Sequence, residues 1–436
     1  MSMFSAESWT RQAIERSLRI ELDYLGAFVL WVAAAFVLYH LCPDRHRKTV
    51  LLVSGIVFLA VFLDPRATLF MLAFSLVFHY ATMGGGHGRG VRLWGGAALL
   101  IVVFVPVCLE GWIFDYYVNG MKVKSVVAAW ALVVFSTKSV YVLHEIRIGR
   151  AERVSLEDYL IYMWGLPVGL GRSAIVPCSH FWERYRARPT AQLMTKGVTT
   201  IAIALLHLLA VPIIGLEMAA YRPDGNFALR LEEQSWLAVW LALNLFHLQI
   251  YLAKYGYEQF GIGIARLFGF DIKDNFANPL ASNTYAAYWR RWNIYFRDML
   301  VSMVYFPTLL ALSRAMPKSK WLNLSLACIA TFAANYVFLL FAHLLFAPPT
   351  SQSARYDVMW TLAIFDLCQA LLVVFSLVVE SRFPLRRGRF ASWPAALLGI
   401  AITFHLRSAL VLFFRVHGGF SAEDLFSILG VAFFIG

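Results

Sequence analysis

The sequence predicts an all-α, polytopic membrane protein of about eleven spanning helices with re-entrant helices between them. Three observations carry this. Of 436 residues, 60% are hydrophobic and only 15% are charged, against about 45–50% and about 25% in soluble domains. The apolar residues come in runs close to the ~20 that a helix needs to cross a bilayer. Between the runs, basic loops alternate with neutral or acidic ones, as positive-inside topology requires. Disorder, collagen, a coiled coil and a disulfide-framed scaffold are excluded by the same composition.

The elements follow in order. Met1 to Asp23 mixes Arg11, Glu15, Arg16, Arg19 and Glu21 with apolar residues, the pattern of an interfacial amphipathic helix over 1–23 rather than a cleavable signal. The first run, Tyr24–Leu41, closes at Pro43 and the cluster Arg45, Arg47, Lys48. Val50–Leu63 and Ala67–Thr82 come next, then a glycine-rich turn from Gly84 to Gly90 and the run Leu93–Leu109. A nearly neutral loop leads to Ser125–Leu143 and to Arg147, Arg150 and Arg153. The alternation places the N-terminus outside and the basic loops 43–49, 83–92 and 145–156 in the cytoplasm.

Leu156–Phe181 is apolar but punctuated by Gly165, Pro167, Gly169, Gly171 and Pro177. Such backbone is tolerated at membrane depth only where protein or a cavity surrounds it, so a broken or re-entrant helix is expected. Arg184, Arg186 and Arg188 precede the span Val198–Leu216, an acidic loop with Asp224, Glu232 and Glu233, and the span Ser235–Ala253. From Lys254 to Arg297 the chain turns polar, aromatic and basic. Met299–Leu312 is apolar, yet Arg290, Arg291 and Arg297 precede it and Arg314, Lys318 and Lys320 follow it. A crossing would leave one cluster outside; a hairpin that dips and returns resolves this, and marks 254–312 as a re-entrant region. Further spans are Leu322–Phe346, Val358–Glu380, Pro394–Phe414 and a short one near Leu425–Ile435, with a cytoplasmic C-terminus. No soluble insert interrupts the chain, which reads as one domain, 1–436.

The net charge of +12 sits in short loops, where anionic lipid accounts for it and nucleic acid is not a partner. Cys42, Cys108, Cys178, Cys328 and Cys368 are scattered without Cys-x-x-Cys or metal-ligand spacing. They read as small core residues, with redox or lipidated sites as the alternative, and no metal is expected.

Polar groups inside apolar runs need a reason, because a central charge costs ~2.5–3.5 kcal/mol on the insertion scale. They are Lys138, His207, His247, Asn335, His343, Asp366 and His405. His343 lies near the end of Leu322–Phe346 among leucines; a neutral imidazole there can be a general base, or simply bond a neighbouring helix. The densest segment is Tyr285-Ala-Ala-Tyr-Trp-Arg-Arg-Trp-Asn293, followed by Arg297 and Asp298. Trp289 and Trp292 share a helix face and read as interface anchors. Arg290 and Arg291 can clamp a headgroup, phosphate or carboxylate, and Asn293 can donate to a carbonyl oxygen. The same segment also reads as an interfacial anchor without catalytic work.

The run Tyr255-Gly-Tyr-Glu-Gln-Phe-Gly-Ile-Gly-Ile-Ala-Arg-Leu-Phe-Gly-Phe270, then Asn275-Phe276, Asn278-Pro279 and Tyr288-Trp289-Arg290-Arg291-Trp292-Asn293, resembles the membrane-bound O-acyltransferase (MBOAT) family. It looks most like the bacterial branch of alginate O-acetylation and teichoic-acid D-alanylation proteins. Two places depart from that branch: Leu340-Phe341-Ala342-His343-Leu344 replaces its Gly-Leu-Trp-His-Gly, and Glu258 follows Gly256-Tyr257 where it has Ser-Asp.

The resemblance implies helices in a horseshoe around a central tunnel in the bacterial inner membrane. It implies transfer of a short acyl group, acetyl foremost, from a cytoplasmic thioester to a hydroxyl of an exported polysaccharide or other envelope polymer. D-alanyl or other carrier-linked transfer is the close variant; an inactive scaffold or a transporter of the same fold are the alternatives. His343 would be the base and Asn293 a site residue. Arg290, Arg291 and Arg297, with Trp289 and Trp292, would bind the donor, acyl-CoA or an acyl carrier protein. No cofactor would be bound. Partners would be the bilayer, the donor and a periplasmic acyl-relay transferase or polymer-synthesis complex.

Overall fold

A computed structural model of the chain describes residues 26, 29–62, 65–84, 88–110, 122–150, 154–166, 176–219, 236–346, 352–382 and 393–411. Its regular structure is helical, apart from one isolated bridge between Tyr185 and Phe270. The interfacial helix expected over 1–23, the acidic loop around Asp224 and the last run near Leu425–Ile435 lie outside the described residues.

In chain order the helices are α1 (Val29–Leu41), α2 (Asp44–Phe62), α3 (Pro65–His79), α4 (Arg89–Glu110), α5 (Lys122–Ile148), α6 (Leu156–Trp164), α7 (Cys178–Glu183), α8 (Ala191–Ala219) and α9 (Trp236–Leu267). They continue as α10 (Tyr285–Arg291), α11 (Ile294–Leu300), α12 (Phe306–Ala315), α13 (Lys320–Phe346), α14 (Gln352–Arg382) and α15 (Trp393–Val411). Among the described residues, four helices are long and apolar enough to cross a membrane: Ala191–Ile214, Ile294–Ala315, Lys320–Phe341 and Met359–Arg382. Val29–Leu41, Thr68–Met83 and Pro394–Leu410 are shorter apolar helices.

One expectation is corrected. No reversal occurs within Met299–Leu312. Helices α11 and α12 join through a π turn, Val301–Tyr305, into one helical run. Pro307 would normally break such a run, since it lacks an N–H and crowds the preceding turn; the widened turn just before it takes up the mismatch. The reversal comes at Met316–Ser319, where Asn323 Nδ2 donates to the Met316 carbonyl (2.8 Å), and α12 then packs against α13.

The chain divides into two compact units. In the first (Met1–Leu206 with Gly256–Lys273), α2 lies against the end of α6 so closely that a Cβ on Gly55 would sit 2.1 Å from the Trp164 carbonyl oxygen. The expected break between Leu156 and Phe181 is present, as α6 ends at Trp164 and α7 begins at Cys178. Both ends are held from α5. The buried Lys138 ammonium donates to the carbonyls of Tyr162 (2.6 Å) and Met163 (3.2 Å), the last turn of α6. Glu145, two turns along, accepts from the backbone N–H groups of Cys178 (3.0 Å) and Ser179 (3.2 Å), at the head of α7. Cation at a helix C-terminus and anion at an N-terminus each match the backbone's exposed dipoles. Outside the spans, Arg188 bonds Asp44 (2.9 Å) and holds its carboxyl below the usual range.

In the second unit (His207–Tyr255 with Asp274–Gly436), α13 and α14 pair along their lengths and α10 rests on α14. Its core includes Val239, Leu243, Phe246, Tyr285 and Phe365, and a neighbouring aromatic cluster joins Tyr251, Phe276, Tyr288 and Trp292.

Candidate active site around the Trp-Arg-Arg-Trp segment

The segment folds as a capped helix, a left-handed residue and a second helix. Thr284 Oγ1 accepts from Ala287 N (3.0 Å) and starts α10. The helix stops at Trp292, whose backbone is extended, and Asn293 follows with φ 44°. Asparagine is among the few residues that take this conformation readily. The fully buried Asn275 then secures the head of α11. Its carbonyl accepts from Ile294 N (2.9 Å), its Oδ1 accepts from Tyr295 N (3.0 Å), and its Nδ2 donates to Asn293 Oδ1 (2.9 Å). Two N–H groups that every helix start leaves unpaired are thereby satisfied from elsewhere in the chain. The Asn293 amide is also oriented: its oxygen faces Asn275, so its NH2 is the end it can offer.

The aromatic residues turn inward. Trp292 is 5% exposed, stacked on Tyr288 (ring centroids 5.4 Å apart) and edge-on to Phe276 (5.2 Å). Trp289 is half-buried against Phe332 of α13 (5.3 Å). The expectation of an anchor at the membrane interface is corrected for Trp292, which caps α10 inside the core, where burial outweighs the interfacial preference of indole.

The three arginines each meet a group of the protein. Arg290 Nη2 holds both oxygens of Glu380 (2.7 and 3.0 Å). Arg291 Nη1 donates to the Ala281 carbonyl (3.0 Å). Arg297 bonds Asp298 and the Arg290 carbonyl. His343 falls in α13, but its side chain lies outside the described residues. The backbone of its helix is placed beside the segment by two contacts: Trp289 on Phe332, and Phe296 of α11 on Phe338 (4.5 Å).

The chain also matches a known group of proteins in sequence. The probable alginate O-acetylase AlgI of Pseudomonas syringae pv. tomato is 22% identical over 306 residues, covering 62% of this chain and 53% of that protein. The corresponding protein of Azotobacter vinelandii is 21% identical over 303 residues, covering 62% and 55%; that of Pseudomonas aeruginosa is 22% identical over 290 residues, covering 62% and 53%. This chain is similar to alginate O-acetylases. The similarity agrees with the resemblance to the MBOAT family that the signature residues carry. No family model matches the chain, and it spans about half the length of the curated relatives it matches.

Beyond the residues predicted from sequence, the second unit buries a polar network against α10. His247 Nδ1 meets Ser408 Oγ (3.0 Å), and its Nε2 meets the Tyr288 hydroxyl (3.4 Å). Arg407 reaches Tyr288 and the Gln369 oxygen, and Asn335 Nδ2 donates to Asp366 Oδ1 (2.6 Å). His247, Asn335 and Asp366 are among the polar groups in apolar runs singled out above; Arg407 and Gln369 are not. The same rule would have found Arg407, a charge in the middle of an apolar run. His207, another of that set, stacks on Tyr255 (4.3 Å).

Proposed function

We propose that this protein is an O-acyltransferase of the membrane, passing a short acyl group, acetyl foremost, from a cytoplasmic thioester to a hydroxyl of an exported polysaccharide. The observation that carries the reading is the pairing of an oriented Asn293 amide with the helix of His343, joined through Phe296 and Phe338. The similarity to alginate O-acetylases points to the same chemistry.

Acyl transfer from a thioester to an alcohol asks for three things: a base for the hydroxyl proton, a donor to the developing oxyanion, and exclusion of water. In this reading His343 takes the proton as the acceptor oxygen attacks the thioester carbonyl. Asn293 donates its amide N–H to the oxyanion; the tetrahedral adduct collapses, the C–S bond breaks, and the thiol leaves with a proton. Nothing in this sequence of steps calls for a metal. Arg290, Arg291 and Arg297, flanked by Trp289 and Trp292, are assigned to the donor's phosphates, on coenzyme A or on a carrier's phosphopantetheine arm. Within the protein Arg290 already donates to an anion with two oxygens, the Glu380 carboxylate. The inner membrane, and a periplasmic acyl-relay protein or polymer-synthesis complex, complete the proposal.

The experiment is transfer of radiolabel from acetyl-CoA, or from an acetylated carrier protein, to a uronate polymer by purified protein in lipid nanodiscs. Label that becomes alkali-labile on polymer hydroxyls supports the reading. Uptake of donor or polymer into proteoliposomes without label transfer points to a transporter, and neither outcome points to a scaffold.

A further inference from the structure

We propose that Arg407 is a positioning residue, holding α10 in place so that Asn293 presents its amide at a fixed point. Its consequence for rate rests on the acyl-transfer reading; its geometry does not. Arg407 enters from α15 and is 6% exposed. Its Nη1 donates to Gln369 Oε1 (3.1 Å) and its Nε to the Tyr288 hydroxyl (3.4 Å). The same Gln369 oxygen accepts from the Tyr285 hydroxyl (3.0 Å). Tyr285 and Tyr288 are three residues apart on α10 and so share a face. The guanidinium therefore holds both phenols, one directly and one through Gln369.

The hydrogen bonds run in one direction. Ser408 Oγ donates its proton to the Phe404 carbonyl (2.8 Å), so it accepts from His247 Nδ1–H. With Nδ1 protonated, His247 Nε2 is an acceptor, and the Tyr288 hydroxyl donates to it. The Tyr288 oxygen can then accept from Arg407. This assignment of the imidazole tautomer follows from the network as a whole. It leaves the Tyr288 hydroxyl with one partner on each side.

The guanidinium also lies among ring faces. The guanidinium carbon lies 5.3 Å from the Phe365 ring centre and 5.7, 5.7 and 6.0 Å from those of Tyr288, Trp289 and Trp292. Three of the four rings belong to the signature segment. A planar fork offers several donors in one fixed plane and a flat face to the rings; an ammonium of similar reach offers neither the plane nor the face. The hold passes on to the site through one turn, since Trp292 N donates to the Tyr288 carbonyl (3.0 Å) and Asn293 follows directly.

The test is amide hydrogen exchange, with transfer kinetics beside it, on the full chain in nanodiscs, for Arg407→Lys and Tyr288→Phe. Arg407→Lys keeps the charge and loses the fork. Exchange is expected to speed up across 285–297 while 320–341 keeps its wild-type rates, and kcat/KM is expected to fall roughly tenfold. Tyr288→Phe should produce the same pattern with a smaller amplitude. Unchanged exchange across 285–297 in both variants overturns the proposal, and so does a rise spread evenly over the molecule. Should wild type transfer no acyl group, the acyl-transfer reading falls, while the exchange pattern still decides whether Arg407 positions α10.

Discussion

Phe296 and Phe338 meet with ring centroids 4.5 Å apart, and that contact ties the helix headed by Asn293 to the helix that carries His343. Phe338 precedes His343 by five residues, a rise of about 7.5 Å along an α-helix. The two helices to which the proposed reading assigns the oxyanion donor and the base are therefore packed together.

The Phe296→Ala substitution should loosen that packing more than it harms the fold. Truncating a buried phenylalanine costs about 3–5 kcal/mol when its site cannot relax. The expected pattern is a fall in kcat larger than the loss of thermal stability alone accounts for at the assay temperature. Phe296→Leu, which keeps most of the volume, should recover most of the rate.

Asn275→Ala removes two side-chain hydrogen bonds at once, so Tyr295 N at the head of α11 loses its side-chain acceptor and Asn293 Oδ1 loses its donor. About 1–3 kcal/mol of stability should be lost, the cost of an unsatisfied buried group. Thermal unfolding in detergent measures the loss. Asn275→Asp keeps the acceptor for Tyr295 but cannot donate to Asn293, so it should keep more stability than rate.

Glu380→Gln tests what Arg290 is for. The ion pair is part-exposed, with side-chain exposures of 46% and 27%, so its loss should change stability by only about 0–1 kcal/mol. If Arg290 serves donor phosphates, freeing it from a competing anion should leave donor KM unchanged or lower. Arg290→Gln should raise KM instead.

In the first unit, Lys138→Met should destabilise the protein by about 1.5–3 kcal/mol, since two carbonyls at the end of α6 lose a charged donor. Gly55→Ala should be at least as harmful, because its new Cβ would overlap the Trp164 carbonyl. Asp44 gives a pH signature: Arg188 lowers its carboxyl, so its contribution is full above the ordinary carboxylate range and is lost as pH falls through the lowered value. Arg188→Gln should flatten that acid limb. Thermal unfolding across a pH series measures all three.

The helices were legible because hydropathy records burial in lipid, residue by residue. Their ends were not. Arg45, Arg47 and Lys48 read as a loop, yet α2 starts at Asp44 and includes them; Arg47 lies over the Tyr39 ring (5.2 Å) and Lys48 pairs with Asp158 (2.7 Å), contacts that the local pattern does not encode. The hairpin expected within Met299–Leu312 failed for a local reason, since a π turn lets the helix run through Pro307. Asn293 was visible as a residue that could donate, but not as a left-handed cap, and Asn275 was visible only as part of a motif. Their bond needs the knowledge that residues eighteen apart are neighbours. Arg407 shows the same limit, because its partners at 288, 365 and 369 lie on other helices.

The most direct measurement is the single-turnover rate of acyl transfer for wild type, His343→Ala and Asn293→Ala, in nanodiscs with saturating donor. Loss of an oxyanion donor costs about 2.7–4 kcal/mol of barrier, so Asn293→Ala should be slower by roughly 10²–10³-fold and His343→Ala slower still, with donor binding retained in both. Transfer at the wild-type rate in His343→Ala would place the base elsewhere and contradict the assignment of the site.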